Sequence, residues 1–114
     1  MTDTFNLHGR SFRVASTAAI GVVSSDTELV LAQKGTRVLG RYGGGTIGRG
    51  VLVGRIDDGV LLFRYAQREL DGAIHGGRST CDLRQDADGR VTILEHFTWE
   101  TRTGSGTNVF VESA

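Results

Sequence analysis

Turn-forming residues recur along this chain at intervals so short that they limit the folds it can adopt. Seven clusters, most of them rich in glycine, aspartate or serine, divide the 114 residues into eight runs of alternating or β-branched residues. These residue types tolerate positive φ or support a turn with their side chains. The clusters are Ser24–Asp26, Lys34–Gly35, Gly43–Gly45, Asp57–Gly59, Asp71–Gly72, Asp86–Gly89 and Thr103–Ser105. Since connections this short join neighbouring strands in antiparallel orientation, the chain is predicted to be an antiparallel meander.

The eight runs are the predicted strands of a single sheet. They are Ser11–Thr17, Thr27–Gln33, Thr36–Tyr42, Thr46–Ile56, Val60–Ala66, Gly72–Gln85, Arg90–Glu100 and Gly106–Glu112. No window of ten or more residues has a convincing apolar stripe of helical spacing. We therefore predict an all-β fold, a single small eight-stranded antiparallel up-and-down barrel of avidin- or lipocalin-like architecture, over residues 11–114 behind a flexible tail of residues 1–10. Closure removes the exposed sheet edges, which no proline is present to protect.

The balance of charge narrows the classes of partner. Thirteen Lys and Arg offset 13 Asp and Glu, which gives no overall basic footprint for nucleic acid or an anionic membrane. The longest apolar runs are far shorter than the roughly 20 residues that span a bilayer, and the polar start lacks the pattern of an export signal. We expect a cytoplasmic protein whose partner is a small apolar or aromatic molecule, with a homodimer left open. The single cysteine, Cys81, is expected to be a small buried side chain.

One predicted strand places a carboxylate on an apolar face. With the period of two that strands have, Val91, Ile93, Glu95, Phe97 and Trp99 share one side of the seventh run, so Glu95 is predicted to point into the barrel. The other predicted inward residues are Phe12, Val14, Val30, Val38, Tyr42, Leu52, Leu61, Phe63, Tyr65 and either Val109 or Phe110.

Glycines share the inward side of the fourth run. Gly48, Gly50 and Gly54 lie an even number of residues from Leu52 and so share its side of the strand. They indicate either strong coiling of the strand or space left open for a ligand.

Two motifs resemble a family of small bacterial proteins of about this length, over roughly residues 21–112. The family pattern reads Tyr-x-Gly-Gly-x-Ile-x-x-Gly-x-Leu-x-Gly, then a tyrosine, then Glu-x-aromatic-x-Trp. The matching residues are Tyr42, Gly44, Gly45, Ile47, Gly50, Leu52, Gly54, Tyr65, Glu95, Phe97 and Trp99. The resemblance implies a small β-barrel, and many members carry the label "N-acetylglutamate synthase". No helical pattern follows the Gly-rich run, so the residues predict no helix N-terminus that would bind a pyrophosphate.

Glu95 is the residue most suited to carry chemistry. A carboxylate in a dry interior takes up a proton or requires hydrogen-bond donors, because burial of its charge alone is costly. The candidate donors are Tyr42, Tyr65, His75 and the indole of Trp99. A carboxyl group with a raised pKa beside phenols can act as a general acid or base, which makes Glu95, Tyr42 and Tyr65 the candidate catalytic residues.

Aromatic side chains on the predicted inward face form the kind of mostly apolar wall that binds small molecules. The candidate ligand-binding residues are Phe63, His75, Phe97 and Trp99. His75 shares its side of the strand with Gly77, Ser79 and Cys81, whose small side chains leave room beside the imidazole. The three histidines lack the spacing of metal ligands, so neither a metal nor a cofactor is expected.

Three functions fit these residues. The first is a small-molecule-binding barrel. The second is a cofactor-independent isomerase or cyclase in which Glu95 acts as general acid or base with Tyr42 or Tyr65. The third is a structural or assembly module filled by its own side chains. A cavity that holds fewer than a few heavy atoms would rule out the first two functions, whereas a roomy pocket with Glu95 exposed in it would count against the third.

Overall fold

The protein forms eight strands and no helix in the part of the chain that the structure describes. The computed structural model describes residues 5–17 and 23–113. The strands are β1 (Ser11–Thr17), β2 (Glu28–Lys34), β3 (Arg37–Gly44), β4 (Ile47–Asp57), β5 (Val60–Glu69), β6 (Ile74–Gln85), β7 (Val91–Trp99) and β8 (Ser105–Glu112). The predicted all-β class is confirmed. Within the two described ranges, no helix is long and apolar enough to cross a membrane.

The sheet closes on itself. Each strand pairs antiparallel with the next one along the chain, and β8 pairs with β1, which confirms the predicted up-and-down barrel. We call the end formed by the β1–β2, β3–β4, β5–β6 and β7–β8 connections the upper end. The lower end carries the other three connections and residues 5–10. A bulge between Val14 and Ser16 interrupts the ladder between β1 and β8.

The turn between β4 and β5 shows how the turn clusters fix the register of the barrel. Asp57 pairs with Val60, so Asp58 and Gly59 alone form the connection. Both residues have positive φ, 53° and 78°, as a two-residue type I′ turn requires. Since register decides which face each side chain occupies, this turn directs alternate residues of β4 and β5 into the barrel.

Alternate residues of the strands fill the interior. Apolar side chains pack the lower half almost without exposure: Leu7, Phe12, Val38, Ile56, Leu61 and Val91. In the upper half, β3, β5 and β7 place larger aromatic and polar residues inside, among them Tyr42, Tyr65, Gln67 and Trp99. Any cavity is therefore expected above the packed lower half.

Strand β2 faces the opposite way from the prediction. Leu29 and Leu31 are 4% and 1% exposed, whereas Val30 lies on the outer side and pairs with Arg41. This run is apolar on both faces, so alternation alone does not decide its direction. Two leucines remove more apolar area from water than one valine, and the buried Thr27 continues their side. In β8 the choice left open resolves to Phe110, which is 6% exposed.

Residues 5–10 are not a flexible tail. Leu7 is fully buried at the lower end, and its backbone N–H donates to Gln33 Oε1 at 2.8 Å. The N–H of Gly9 donates to the carbonyl of Leu31 at 2.9 Å. Apolar burial together with these hydrogen bonds offsets the entropy lost by ordering the segment. Residues 1–4, the rest of the predicted tail, lie outside the described residues.

The glycines of β4 leave little space for a ligand. A side chain at Gly50 would collide with the ring of Tyr42, and one at Gly54 would collide with the backbone carbonyl of Leu62 and with Phe63. The Tyr42 ring and the neighbouring strand β5 thus occupy the room beside these glycines, which favours strand coiling over an open ligand space.

Candidate functional site

A small cavity lies inside the barrel, above its packed lower half. Its volume is about 40 Å³, which is room for roughly three water molecules. Six strands and the β1–β2 connection contribute its lining: Val23, Leu29, Leu31, Tyr42, Leu52, Leu61, Phe63, Tyr65, Gln67, Ile93, Glu95, Phe97, Trp99, Asn108 and Phe110. The wall is therefore mostly apolar, with Glu95 as its one carboxyl group among the described residues.

Glu95 is held by the strands on either side of it. It is 6% exposed. The hydroxyl of Ser79 on β6 donates to its Oε2 at 2.5 Å, and the side-chain amide of Asn108 on β8 donates to its Oε1 at 2.9 Å. The hydroxyl of Thr17 on β1 donates in turn to Asn108 Oδ1 at 2.6 Å. Both carboxyl oxygens thus have a donor from the protein itself.

The electrostatics of the site favour uncharged groups. Burial raises the pKa of Glu95 above its ordinary value, because the charged form loses its hydration. Hydrogen bonds from Asn108 and Ser79, and then the nearby His96, lower this pKa without cancelling the effect of burial. Burial, and after it the charge of Glu95, raises the pKa of the Tyr42 and Tyr65 hydroxyls.

Two buried donors of the cavity wall have no hydrogen-bond partner in the described part of the chain. They are the Tyr65 hydroxyl and the Trp99 indole N–H. The two side chains are 9% and 7% exposed, and their rings meet edge to face with centroids 5.4 Å apart. Leaving a buried donor unpaired costs about 1–3 kcal/mol, and most such groups in folded proteins have a partner. An acceptor atom brought by a bound molecule would therefore be stabilised here.

A chain of polar side chains, which we call the mouth chain, lies at the upper end. Tyr42 donates to Gln67 Oε1 at 3.0 Å, and Gln67 Nε2 donates to Glu69 Oε2 at 2.9 Å. Nη2 of Arg102 lies 3.0 and 2.9 Å from the two carboxylate oxygens of Glu69. The guanidinium of Arg102 also stands 4.7 Å from the ring centroid of Trp99, within cation–π range. The mouth chain thus ties the β7–β8 connection to β5 and to the aromatic wall.

Six of the seven predicted site residues come together in the cavity wall. They are Tyr42, Phe63, Tyr65, Glu95, Phe97 and Trp99. His75 is not part of the lining. Its Nδ1 lies 2.8 Å from Thr101 Oγ1 at the upper rim, and its ring meets Trp99 edge to face at 6.3 Å. The catalytic or binding roles of all seven stay predictions.

The predicted donors to Glu95 are wrong. Ser79 and Asn108 donate to it, and none of Tyr42, Tyr65, His75 or Trp99 does. Asn108 lies two residues before the inward Phe110 and therefore on the same face of β8. The inward direction of Phe110 was thus the sequence signal for an inward Asn108.

The mouth chain was not predicted beyond Tyr42. Gln67 and Glu69 were missed because β5 was expected to end at Ala66, whereas the strand continues to Glu69. Arg102 lies in a turn, where alternation gives no direction.

Metal-ligating and nucleophilic chemistry has little support at this site. No group of three or more His, Cys, Asp or Glu within residues 5–17 and 23–113 is placed to hold a metal ion. Cys81 pairs across the strands with Glu95 and is fully buried. Burial, and after it the charge of Glu95, raises the pKa of this thiol and disfavours the reactive thiolate.

Comparison with known proteins agrees with the barrel. Residues 5–113 match the family described as avidin-like protein. No curated protein and no solved structure matches the chain. The expectation of a small β-barrel family is confirmed, while the label "N-acetylglutamate synthase" receives no support from these comparisons. Because the match spans nearly the whole chain, the protein belongs to the avidin-like protein family.

Proposed function

We propose that this barrel binds one small, largely apolar molecule that carries a hydrogen-bond acceptor. The observation that carries the proposal is the pair of unpartnered donors, the Tyr65 hydroxyl and the Trp99 indole, in a wall that is otherwise mostly apolar. An interior that only has to be filled gains nothing from two unpaired donors, whereas a ligand carbonyl or ether oxygen would satisfy them. Membership of the avidin-like family fits a binding barrel.

The wall favours an uncharged ligand. The raised pKa of Glu95 reflects a site that resists charge, and both of its oxygens already accept hydrogen bonds from Ser79 and Asn108. An ionised ligand would lose its hydration and meet few compensating groups there. A neutral ketone, ester, amide or ether fits this chemistry best.

Ligand entry requires the cavity to widen. Its 40 Å³ is well below the roughly 150 Å³ of an engineered apolar cavity that binds benzene. The lower half is packed with buried aliphatic side chains, so the mouth chain at the upper end is the part that has to open. The mouth chain is held by hydrogen bonds and one ion pair. When these contacts separate, water can hydrogen-bond to the polar groups that they release.

The small volume also favours a second function, a structural or assembly barrel filled by its own side chains. In that case trapped water would satisfy Tyr65 and Trp99, and a cavity of 40 Å³ has room for it. The two functions differ in whether a small acceptor-bearing molecule displaces that water.

Acid–base catalysis has less support than binding. A general base has to reach the proton that it removes, and Glu95 is engaged by Ser79 and Asn108 on both oxygens. Tyr42 is likewise engaged by Gln67. An isomerase or cyclase function would require these bonds to rearrange around the substrate.

A pair of ring probes of similar size, one with and one without a carbonyl oxygen, tests the binding proposal. Cyclopentanone and methylcyclopentane would be titrated into the protein, followed by the fluorescence of Trp99, the single tryptophan, and by the NMR resonance of its indole N–H. One or two added hydrogen bonds of about 0.5–1.5 kcal/mol each predict that the ketone binds about tenfold more tightly. The indole proton should shift downfield with the ketone alone.

The matched variants are Tyr65→Phe and Tyr42→Phe. Tyr65→Phe should reduce the preference for the ketone, whereas Tyr42→Phe should keep it, because Tyr42 donates to Gln67 rather than into the cavity. Equal affinity for both probes would contradict the acceptor-binding proposal. Failure of both probes to bind would favour the structural function instead.

A further inference from the structure

The outer surface of β3–β6 concentrates the positive charge of the molecule. Eight arginines of these four strands point outward and are exposed: Arg37, Arg41, Arg49, Arg55, Arg64, Arg68, Arg78 and Arg84. They are eight of the 13 basic residues of the chain. We call the outward side of these strands the arginine face. The balanced net charge of the sequence conceals this segregation.

Few carboxylates neutralise the arginine face. The outward acidic residues of the four strands are Asp57 and Asp82, and Asp82 lies 3.4 Å from His96. Arg64 and Arg78 share Glu100, at 3.0 and 3.4 Å. The other six arginines form no ion pair with any described residue.

Like charges also stand directly opposite one another on this face. Arg37 pairs across the strands with Arg55, Arg49 with Arg68, and Arg64 with Arg78. Like-charged cross-strand pairs are destabilising. Of the three pairs, one shares a carboxylate of the protein. The fold gains nothing from the other two pairs, which an external anion would stabilise.

Exposed aliphatic side chains lie between the arginines. Leu39, Val53 and Val51 are 57%, 58% and 47% exposed, and Leu39 pairs directly with Val53. Leu39 and Val53 line a shallow groove of about 1010 Å³ together with Leu62 and four of the arginines. Arginine is enriched at protein interfaces, and the exposed aliphatic side chains add apolar area that a partner could cover.

We propose that the arginine face is a docking surface for an acidic protein segment whose apolar side chains alternate with carboxylates. Carboxylates would pair with the unpartnered arginines, and apolar side chains would cover Leu39 and Val53. This inference is independent of ligand binding inside the barrel.

The chemistry of the face disfavours the other occupants. A second copy bound symmetrically through this face would bring the same arginines against each other. A duplex or a bilayer would touch the long guanidinium side chains and leave the shorter Leu39 and Val53 uncovered. The face also lacks the aromatic side chains on which single-stranded nucleic acid stacks.

The test uses a labelled peptide of 14 residues with seven Glu and four Leu separated by Ser, measured by fluorescence anisotropy against the whole protein. A second peptide replaces each Leu with Ser. The double substitution Arg37→Glu and Arg55→Glu removes two charge contacts with the peptide. It should therefore weaken binding of the first peptide about tenfold or more. The double substitution Leu39→Ser and Val53→Ser should weaken the first peptide and leave the second unchanged. Arg13→Glu, on the outer side of β1, is the matched control and should change neither.

Three results would overturn the proposal. The first is no binding of the Leu-containing peptide below about 1 mM. The second is unchanged binding in the Arg37 and Arg55 variant, with its fold verified by circular dichroism. The third is tighter binding to a 14-base-pair DNA duplex or to phosphatidylserine vesicles than to the peptide, which would assign the face to those partners.

Discussion

Two tyrosines of the cavity wall have the same chemistry and opposite surroundings. Tyr42 donates its hydroxyl to Gln67, whereas the hydroxyl of Tyr65 has no partner among the described residues. Replacement by phenylalanine removes only the oxygen and keeps the ring. The two substitutions therefore isolate the value of one hydrogen bond and the cost of one unpaired donor.

We expect these two substitutions to differ in their effect on stability. Tyr42→Phe should lower the free energy of unfolding by about 1 kcal/mol, because a hydrogen bond is lost and Gln67 loses its donor. Tyr65→Phe should leave it unchanged or raise it by up to about 1 kcal/mol, since an unsatisfied hydroxyl leaves the interior. Urea denaturation without ligand measures both. Equal destabilisation by the two variants would show that Tyr65 does have a partner.

The raised pKa of Glu95 predicts how stability depends on pH. A folded-state pKa above the unfolded value means that the folded protein binds more protons between the two values, so the free energy of unfolding falls as pH rises through that interval. Each unit of difference costs about 1.4 kcal/mol above both pKa values. Glu95→Gln removes this titration, so wild type should lose stability relative to the variant from about pH 4 upward.

A second variant checks the cause of this dependence. Ser79→Ala removes one donor to the carboxylate, which should raise the pKa of Glu95 further and extend the fall to higher pH than in wild type. Urea denaturation from pH 4 to pH 9 records both differences. A wild-type protein that gains stability over Glu95→Gln as pH rises would contradict the direction of the pKa shift.

The position of Glu95 was predictable from the sequence, and its partners were not. Alternation with Ile93 and Phe97 was enough to direct the carboxyl inward. Its donors belong to β6 and β8, and which residues stand opposite depends on the cross-strand register, which alternation within one strand does not contain. The choice of Phe110 over Val109 would have directed Asn108 inward, and the register then places Asn108 opposite Glu95.

At the scale of the elements, β2 gives a direct test of face assignment. Leu31 is 1% exposed, and Val30 lies on the outer side. Leu31→Ala should lower the free energy of unfolding by about 2–4 kcal/mol, because it leaves a cavity in the core. Val30→Ala should cost less than about 1 kcal/mol. Thermal unfolding of both variants measures the difference, and a larger effect at Val30 would restore the original face prediction.

The β7–β8 connection is expected to control access to the cavity through Arg102. Its ion pair with Glu69 is partly buried, and its guanidinium covers the ring of Trp99. Arg102→Gln should therefore increase the acrylamide quenching of the single tryptophan, by roughly twofold, and lower the free energy of unfolding by about 1–2 kcal/mol. Arg78→Gln, which reaches Glu100 on the exposed outer surface, is the control and should leave quenching unchanged. Unchanged quenching in Arg102→Gln would show that the mouth chain does not shield the aromatic wall.

Tight turns made the elements themselves predictable. Asp58 and Gly59 take the positive φ values that their residue types allow, so the ends of β4 and β5 were predicted within one residue there. The upper end of β5 was not, because the apolar pattern stops at Ala66, whereas the strand continues through the polar Gln67 and Glu69. Residues 5–10 were misassigned for a similar reason, since one buried leucine in a polar segment leaves no periodic pattern.

For the whole molecule, closure of the barrel followed from short connections and the absence of proline, and the structure confirms it. The size of its cavity did not follow from the sequence. Interiors pack so closely that shifts of a single methylene group alter internal space, and here the ring of Tyr42 packs against Gly50 and fills room that the glycine provides. Alternation in the sequence is enough to direct most arginines of the arginine face outward, whereas the pairing of Arg37 with Arg55 depends on the register.

A crystal structure of the protein soaked with cyclopentanone tests the binding proposal most directly. We expect the ketone inside the barrel, its oxygen at a hydrogen-bonding distance of about 2.7–3.2 Å from the Tyr65 hydroxyl or the Trp99 indole nitrogen, with the mouth chain displaced. A saturating soak that leaves the cavity with ordered water on both donors and the Arg102–Glu69 ion pair intact would contradict ligand binding and identify the barrel as a structural module.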